Sequence, residues 1–227
     1  MNGAAQEPRY VESSEEVDGN GEAALDMNTY LQEMEHAVAS IIPLIWAEHQ
    51  AVEEAETTLR KHEAETKRGY QQAQAFDDLD DDEGLATAIY WETYFGPDKK
   101  RYHAEGALAR AEAAVAAHAF SRSALSSSLL QYAKQGISAV HGDLAAAPTA
   151  RQIHGLELKV VIWQGRNQAS HWEEGKPHPP VVACFETLKA ADTAFTDYRT
   201  RNLAFEIVRL LGWNDWATFD QDMRSLG

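Results

Sequence analysis

Arg166, Asn167 and His171 stand close together within Gly165-Arg166-Asn167-Gln168-Ala169-Ser170-His171. Histidine exchanges a proton near neutral pH and so suits general acid–base work. A guanidinium offers a fork of donors matched to a phosphate. A neighbouring amide can steer the imidazole ring. Together the three suit binding and cleavage of a phosphodiester. On a regular helix Asn167 and His171, four apart, share a face. Arg166 and His171, five apart, point about 140° away from each other. For all three to converge, the helix must begin, end or bend near Gly165, a residue type that tolerates a bend.

The elements that position this stretch read as helices. Ala, Glu, Leu and Gln are plentiful, Pro and Gly number only 7 and 14, and Val and Ile form no alternating runs. An apolar helical segment, Ile153 to Gln164, carries a stripe of Ile153, Leu156, Val160 and Trp163 and leads straight into the motif. Upstream, a helix from near Leu25 carries Leu31, Met34, Val38, Ile41 and Ile45, with Pro43 expected to kink or restart it. Beyond Ala47 the pattern turns polar and predicts a solvated extension ending near Gly69. A polar break, Asp77 to Gly84, precedes a short helix over Leu85 to Phe95 and a turn at Gly96-Pro97-Asp98. An Ala-rich helical stretch from Lys100 to Ala119 precedes a stripe of Leu125, Leu129, Tyr132, Gly136 and Val140, stopped at Gly142. After Pro177 and Pro179, Pro180 can start a helix burying Val182, Phe185 and Leu188. Leu203, Ile207 and Leu210 mark another helix, stopped at Gly212. Asn214 is the expected N-cap of a last helix carrying Trp216, Phe219 and Met223 inward. The expectation is an all-α bundle of about four to six helices over residues 25–227. Residues 1–24, acidic and without periodicity, are expected to be disordered.

The net charge of −16 argues against a broad nucleic-acid surface, because phosphate contacts need clustered Lys and Arg. A small local site remains compatible. From Arg151 to Lys176 the charge is near balance, with Arg151, Lys159, Arg166 and Lys176 against Glu157, Glu173 and Glu174. The single cysteine, Cys184, sits among Val181, Val182 and Phe185 and reads as a small core residue in a reducing, cytoplasmic setting. No apolar stretch is long enough to span a bilayer, and the acidic first twenty residues, without an apolar run, are not expected to act as a secretory signal.

Arg-Asn-x-x-x-His near the C-terminal end of an all-helical domain resembles the signature of the HEPN superfamily (higher eukaryotes and prokaryotes nucleotide-binding). Arg166, Asn167 and His171 fit its pattern of Arg, four to six residues, then His, with Asn directly after the Arg. The resemblance covers Leu125 to Leu211. It implies metal-independent endoribonuclease activity in bacterial phage defence or toxin–antitoxin growth arrest, with an antitoxin or defence protein as a partner. It also implies a homodimer whose two motifs face one composite cleft. In that reading His171 is the general acid/base, Arg166 holds the scissile phosphate, and Asn167 orients. The products would be a 2′,3′-cyclic phosphate and a 5′-hydroxyl. In one subgroup a Tyr two residues after the His is modified by the partner; that position here is Glu173, so this mode of neutralisation is not expected.

Other chemistry finds less support. Asp78, Asp80 and Asp82 alternate like a calcium loop, but its sixth and twelfth positions hold Glu83 and Ile89 instead of Gly and Glu. Glu33-x-x-His36 is half of a di-iron pair with no second half in the chain. There is no Gly-rich phosphate loop and no zinc-type Cys/His cluster, so no cofactor or metal is expected. His178, between prolines, is a candidate to reach the cleft, whereas Trp172 is more readily a packed ring than a base-stacking one. The competing reading is a catalytically inactive HEPN-like helical module that binds a protein partner, a nucleotide or RNA. Arg166 would then be an ordinary ion-pair partner and His171 a helix-end residue.

Overall fold

In the computed structural model the described residues are 25–77 and 97–227. The acidic segment 1–24, most of the polar break and the expected helix at Leu85 to Phe95 lie outside them. The described residues form an all-α bundle of six helices with one minimal hairpin. The helices are α1 (Met27–Asp77), α2 (Pro97–His141), α3 (Leu158–His171), α4 (Pro179–Ala191), α5 (Ala204–Leu211) and α6 (Trp216–Arg224).

Asp26 caps α1, accepting the Thr29 N–H at 2.8 Å; that bond, first among its causes, holds the Asp26 carboxyl below its ordinary pKa. Leu31, Val38, Ile42 and Ile45 follow as the buried face. Pro43 does not interrupt the helix. Pro43 and Ala39 both lie on the exposed face, where water can satisfy the Ala39 carbonyl that loses its helical donor. At 51 residues α1 is about 77 Å long. Its contacts with α2 pair Tyr30 with Tyr132, Glu48 with His118 and Tyr70 with Glu105, so the two helices run antiparallel.

The polar half of α1 is therefore partnered as well as solvated, and it continues past Gly69 to Asp77. Val52, Ala55, Leu59, His62, Thr66 and Gly69 recur at alternating three- and four-residue steps and are its less exposed positions. They run along Ala104, Leu108, Ala111, Val115 and His118 of α2, which follow the same rhythm. That is a coiled-coil seam in which Val and Leu alternate with Ala, Thr, Gly and His.

The other end of the hairpin builds the core with the shorter helices. Leu129, Leu130, Ala133 and Ile137 of α2 meet Leu158, Val161 and Ile162 of α3, with Phe185 and Leu188 of α4, Ile207 and Val208 of α5 and Phe219 and Met223 of α6 around them. Gly136 of α2 is a point of close approach: a Cβ there would lie 2.7 Å from the Tyr30 ring. Gly142 and Gly212, at φ +80° and +72°, end α2 and α5.

Two further expectations fail locally. Residues 152–157 are not helical. Gln152–Ile153 and Leu156–Glu157 pair antiparallel around His154 and Gly155, whose φ of 50° and 83° meet the requirement of a two-residue hairpin turn. The cap of α6 is Asp215 rather than Asn214: its carboxylate accepts the Thr218 N–H at 2.8 Å, and the Thr218 hydroxyl returns the contact as a capping box.

Candidate active site

α3 lies against α2, α4 and α5, so its side chains are distributed among three neighbours. It runs unbroken from Leu158 through Gly165 to His171. The expected bend at Gly165 is absent. The glycine instead allows close packing, since a Cβ there would sit 3.1 Å and 3.2 Å from the Cγ atoms of Ile207 on α5.

With the helix straight, the three candidate residues follow helical geometry. Arg166 reaches α2, where its Nε donates to Gln131 Oε1 at 2.6 Å. Its Nη1 donates to Asn167 Oδ1 at 3.3 Å, and Asn167 Nδ2 donates to Gln164 Oε1 at 3.4 Å. These bonds orient the guanidinium and leave the remaining Nη hydrogens uncommitted. Asn167 and His171 share the opposite side and line one crevice with Trp172, Pro177, His178 and Tyr198. The structure therefore bonds Arg166 to Asn167 and places Asn167 and His171 in one crevice, with no bond between His171 and either of them among the described residues.

His171 is the last residue of α3, and a short 3-10 turn, Trp172–Glu174, follows it. That turn carries Glu174 back over the ring. His171 Nδ1 and Glu174 Oε1 are 2.7 Å apart, which makes Nδ1–H the donor and leaves Nε2 as the nitrogen open to a substrate. A carboxylate behind a histidine in this way fixes the tautomer and the orientation of the ring. With side-chain exposures of 46% and 55%, the pair is open to solvent. The turn closes at Gly175, at φ +66°, and the chain runs through Pro177 to His178, the N-cap of α4.

Tyr198 forms the crevice wall. Burial first, and then its hydrogen bond to Glu186 at 2.8 Å, raise its pKa, so it acts as a neutral wall near pH 7. Cys184 is buried on the inner face of α4, and burial pushes its thiol up to about 12, as suits a core residue and not a nucleophile.

The near-balanced charge of the Arg151–Lys176 region does not make a free cationic surface. Arg151 is committed to Asp222 through two bonds of 2.6 Å. Lys159 bonds the Ala147 carbonyl at 2.5 Å and lies 3.4 Å from Glu157. Gln131 and Glu174 are site residues that the motif alone does not reveal. Glu174 had a local signal, its position three residues after His171. Gln131 had none, being 35 residues away from Arg166 on another helix.

No family model, no curated protein and no solved structure matches this chain.

Proposed function

We propose that the chain is a metal-independent endoribonuclease of HEPN type that acts as a homodimer, in bacterial defence or toxin–antitoxin growth arrest. The observation that carries this reading is the Glu174–His171 pair beside Asn167, which lines the same crevice and bonds Arg166 at one end of α3. Glu174 holds Nδ1, so Nε2 can take the ribose 2′-proton or protonate the leaving 5′-oxygen. The 2′-oxygen then attacks phosphorus, the bond to the 5′-oxygen breaks, and a cyclic phosphate remains. Arg166, tethered by Gln131 and Asn167, offers its free Nη edge to the non-bridging oxygens as charge builds on them. Cleavage needs an acid and a base together. In the composite-dimer reading the second group is the partner's His171. His178 lines the same crevice and is a second candidate within one protomer.

The test is cleavage of a broad RNA pool by the purified protein in excess EDTA, with His171→Ala and His178→Ala alongside. Loss of about a hundredfold or more in His171→Ala, with the fold intact, supports the reading. Unchanged cleavage in that variant rejects it. A non-catalytic helical module that binds a protein, a nucleotide or RNA is the second reading. It is favoured by the Arg166–Gln131 bond of 2.6 Å, which gives Arg166 a structural occupation. Under it, intact RNA remains with every variant.

A further inference from the structure

On the other side of Trp172 from the His171 crevice lies a wider groove of about 400 Å³, where α2 passes the segment leading into α5. Its charged lining is Arg122, Arg201 and Glu206, and two aromatic side chains, Phe120 and Trp172, border it. Arg201 donates from Nη2 to Glu206 Oε1 at 3.1 Å. The neighbouring Asn202 bonds the Ala169 carbonyl at 3.2 Å and Ser127 Oγ at 3.0 Å, which fastens this segment to α3 and α2. Arg122 lies 4.3 Å over the Phe205 ring, and its Nη1 donates to His49 Nδ1 at 3.1 Å. Its Nε is buried with no acceptor. Phe120 is 76% exposed, an unusual setting for a phenyl ring beside two guanidiniums.

The charges in this groove do not cancel. Two guanidiniums face one carboxylate. Burial first lowers the Arg122 pKa, and Arg201 and Arg209 push it the same way against Glu206 and Glu56. In a chain of net charge −16, a concave site with surplus positive charge is an exception. An anion there would relieve like-charge crowding, and a planar group would cover the exposed ring. The groove's volume suits a ligand of nucleotide size.

We propose that this groove holds one nucleotide unit, with its phosphate on Arg201 and Arg122 and its base against Phe120 or Trp172. Trp172 lines both the groove and the His171 crevice, so one single strand can occupy the two in succession. That continuity rests on the ribonuclease reading. Nucleotide binding by the groove itself does not.

The test uses full-length His171→Ala protein, so that RNA survives the measurement, and a fluorescent single-stranded RNA oligonucleotide read by anisotropy. Phe120→Ala and Arg201→Ala are added separately. Phe120 is on the surface, so its variant keeps the fold, and circular dichroism checks both. Each is expected to weaken binding about tenfold, and Arg201→Ala to flatten the slope of log affinity against log salt by about 0.7. Adenosine monophosphate as competitor separates the sources: displacement with the same variant sensitivity points to a free nucleotide, and failure to displace points to a strand. Affinity unchanged in both variants overturns the proposal. Binding lost only in Arg201→Ala and fully displaced by poly-glutamate overturns it in favour of an acidic peptide. Absence of cleavage by wild-type protein, with these affinities retained, removes the ribonuclease reading and leaves the groove.

Discussion

Asp222→Ala should destabilise the protein more than any surface change, and the geometry allows the loss to be sized. The Asp222 carboxylate is buried at the end of α6 and accepts three side-chain donors. Arg151 supplies Nε and Nη2 at 2.6 Å each, and Trp213 supplies its indole N–H at 2.8 Å. Trp213 is fully buried, so its N–H would have no water to turn to. An orphaned buried donor costs about 1–3 kcal/mol. Breaking a buried ion pair costs about 3–5 kcal/mol. Arg151 is 45% exposed and can rehydrate, which reduces the second figure. The expected loss is about 3 kcal/mol, equivalent to a fall in Tm of about 6–12 °C for a chain of this size. Thermal and urea unfolding measure it, and Arg151→Ala with the double variant completes a cycle. Coupling above about 1 kcal/mol is expected, since both residues share one network. A loss under about 1 kcal/mol for Asp222→Ala, or additive single effects, would refute the claim that this network ties the hairpin region to α6.

Gly136→Ala should cost about 1 kcal/mol or more in urea unfolding. Overpacking against a Tyr30 ring anchored by its hydroxyl bond to the Tyr132 carbonyl outweighs the better helix propensity of Ala, and a stabilised variant would contradict the close approach. His49 should make stability fall on acidification. Burial first, and then Arg122, hold its pKa below the ordinary 6.5; its neutral form is the one that folds, so this contribution is present above about pH 6.5 and is lost below it. The urea midpoint should therefore drop from pH 7.5 to pH 5.5, with a shallower drop in His49→Gln; an identical drop in the variant would remove His49 as a cause. Cys184 should react with a thiol reagent at pH 8 only as fast as the protein opens, and rapid labelling of folded protein would contradict its burial.

The parts legible in the sequence are those encoded by burial. Leu31, Val38 and Ile45 recur at helical spacing because one face of α1 must leave water, and the same holds for Phe185 and Leu188 of α4. The hairpin at 152–157 escaped because two-residue strands are too short to alternate, and its turn uses His-Gly in place of the more telling Asn-Gly. The coiled-coil seam of α1 and α2 escaped because Ala, Thr, His and Gly occupy positions where large apolar residues normally announce a heptad. Gly165 was ambiguous in kind. A glycine permits either a bend or a close contact, and only Ile207, far along the chain, decides for contact. At the candidate site, the spacing of Asn167 and His171 correctly predicted a shared face, while the partners of Arg166 and His171 depended on α2 and on the turn after α3.

The measurement closest to the central claim is the identity of RNA ends left by the purified protein in excess EDTA. Wild-type protein is expected to leave 2′,3′-cyclic phosphate and 5′-hydroxyl ends, with cleavage lost in His171→Ala and reduced in Glu174→Gln. Intact RNA from folded wild-type protein, or ends that form equally with His171→Ala, would contradict it.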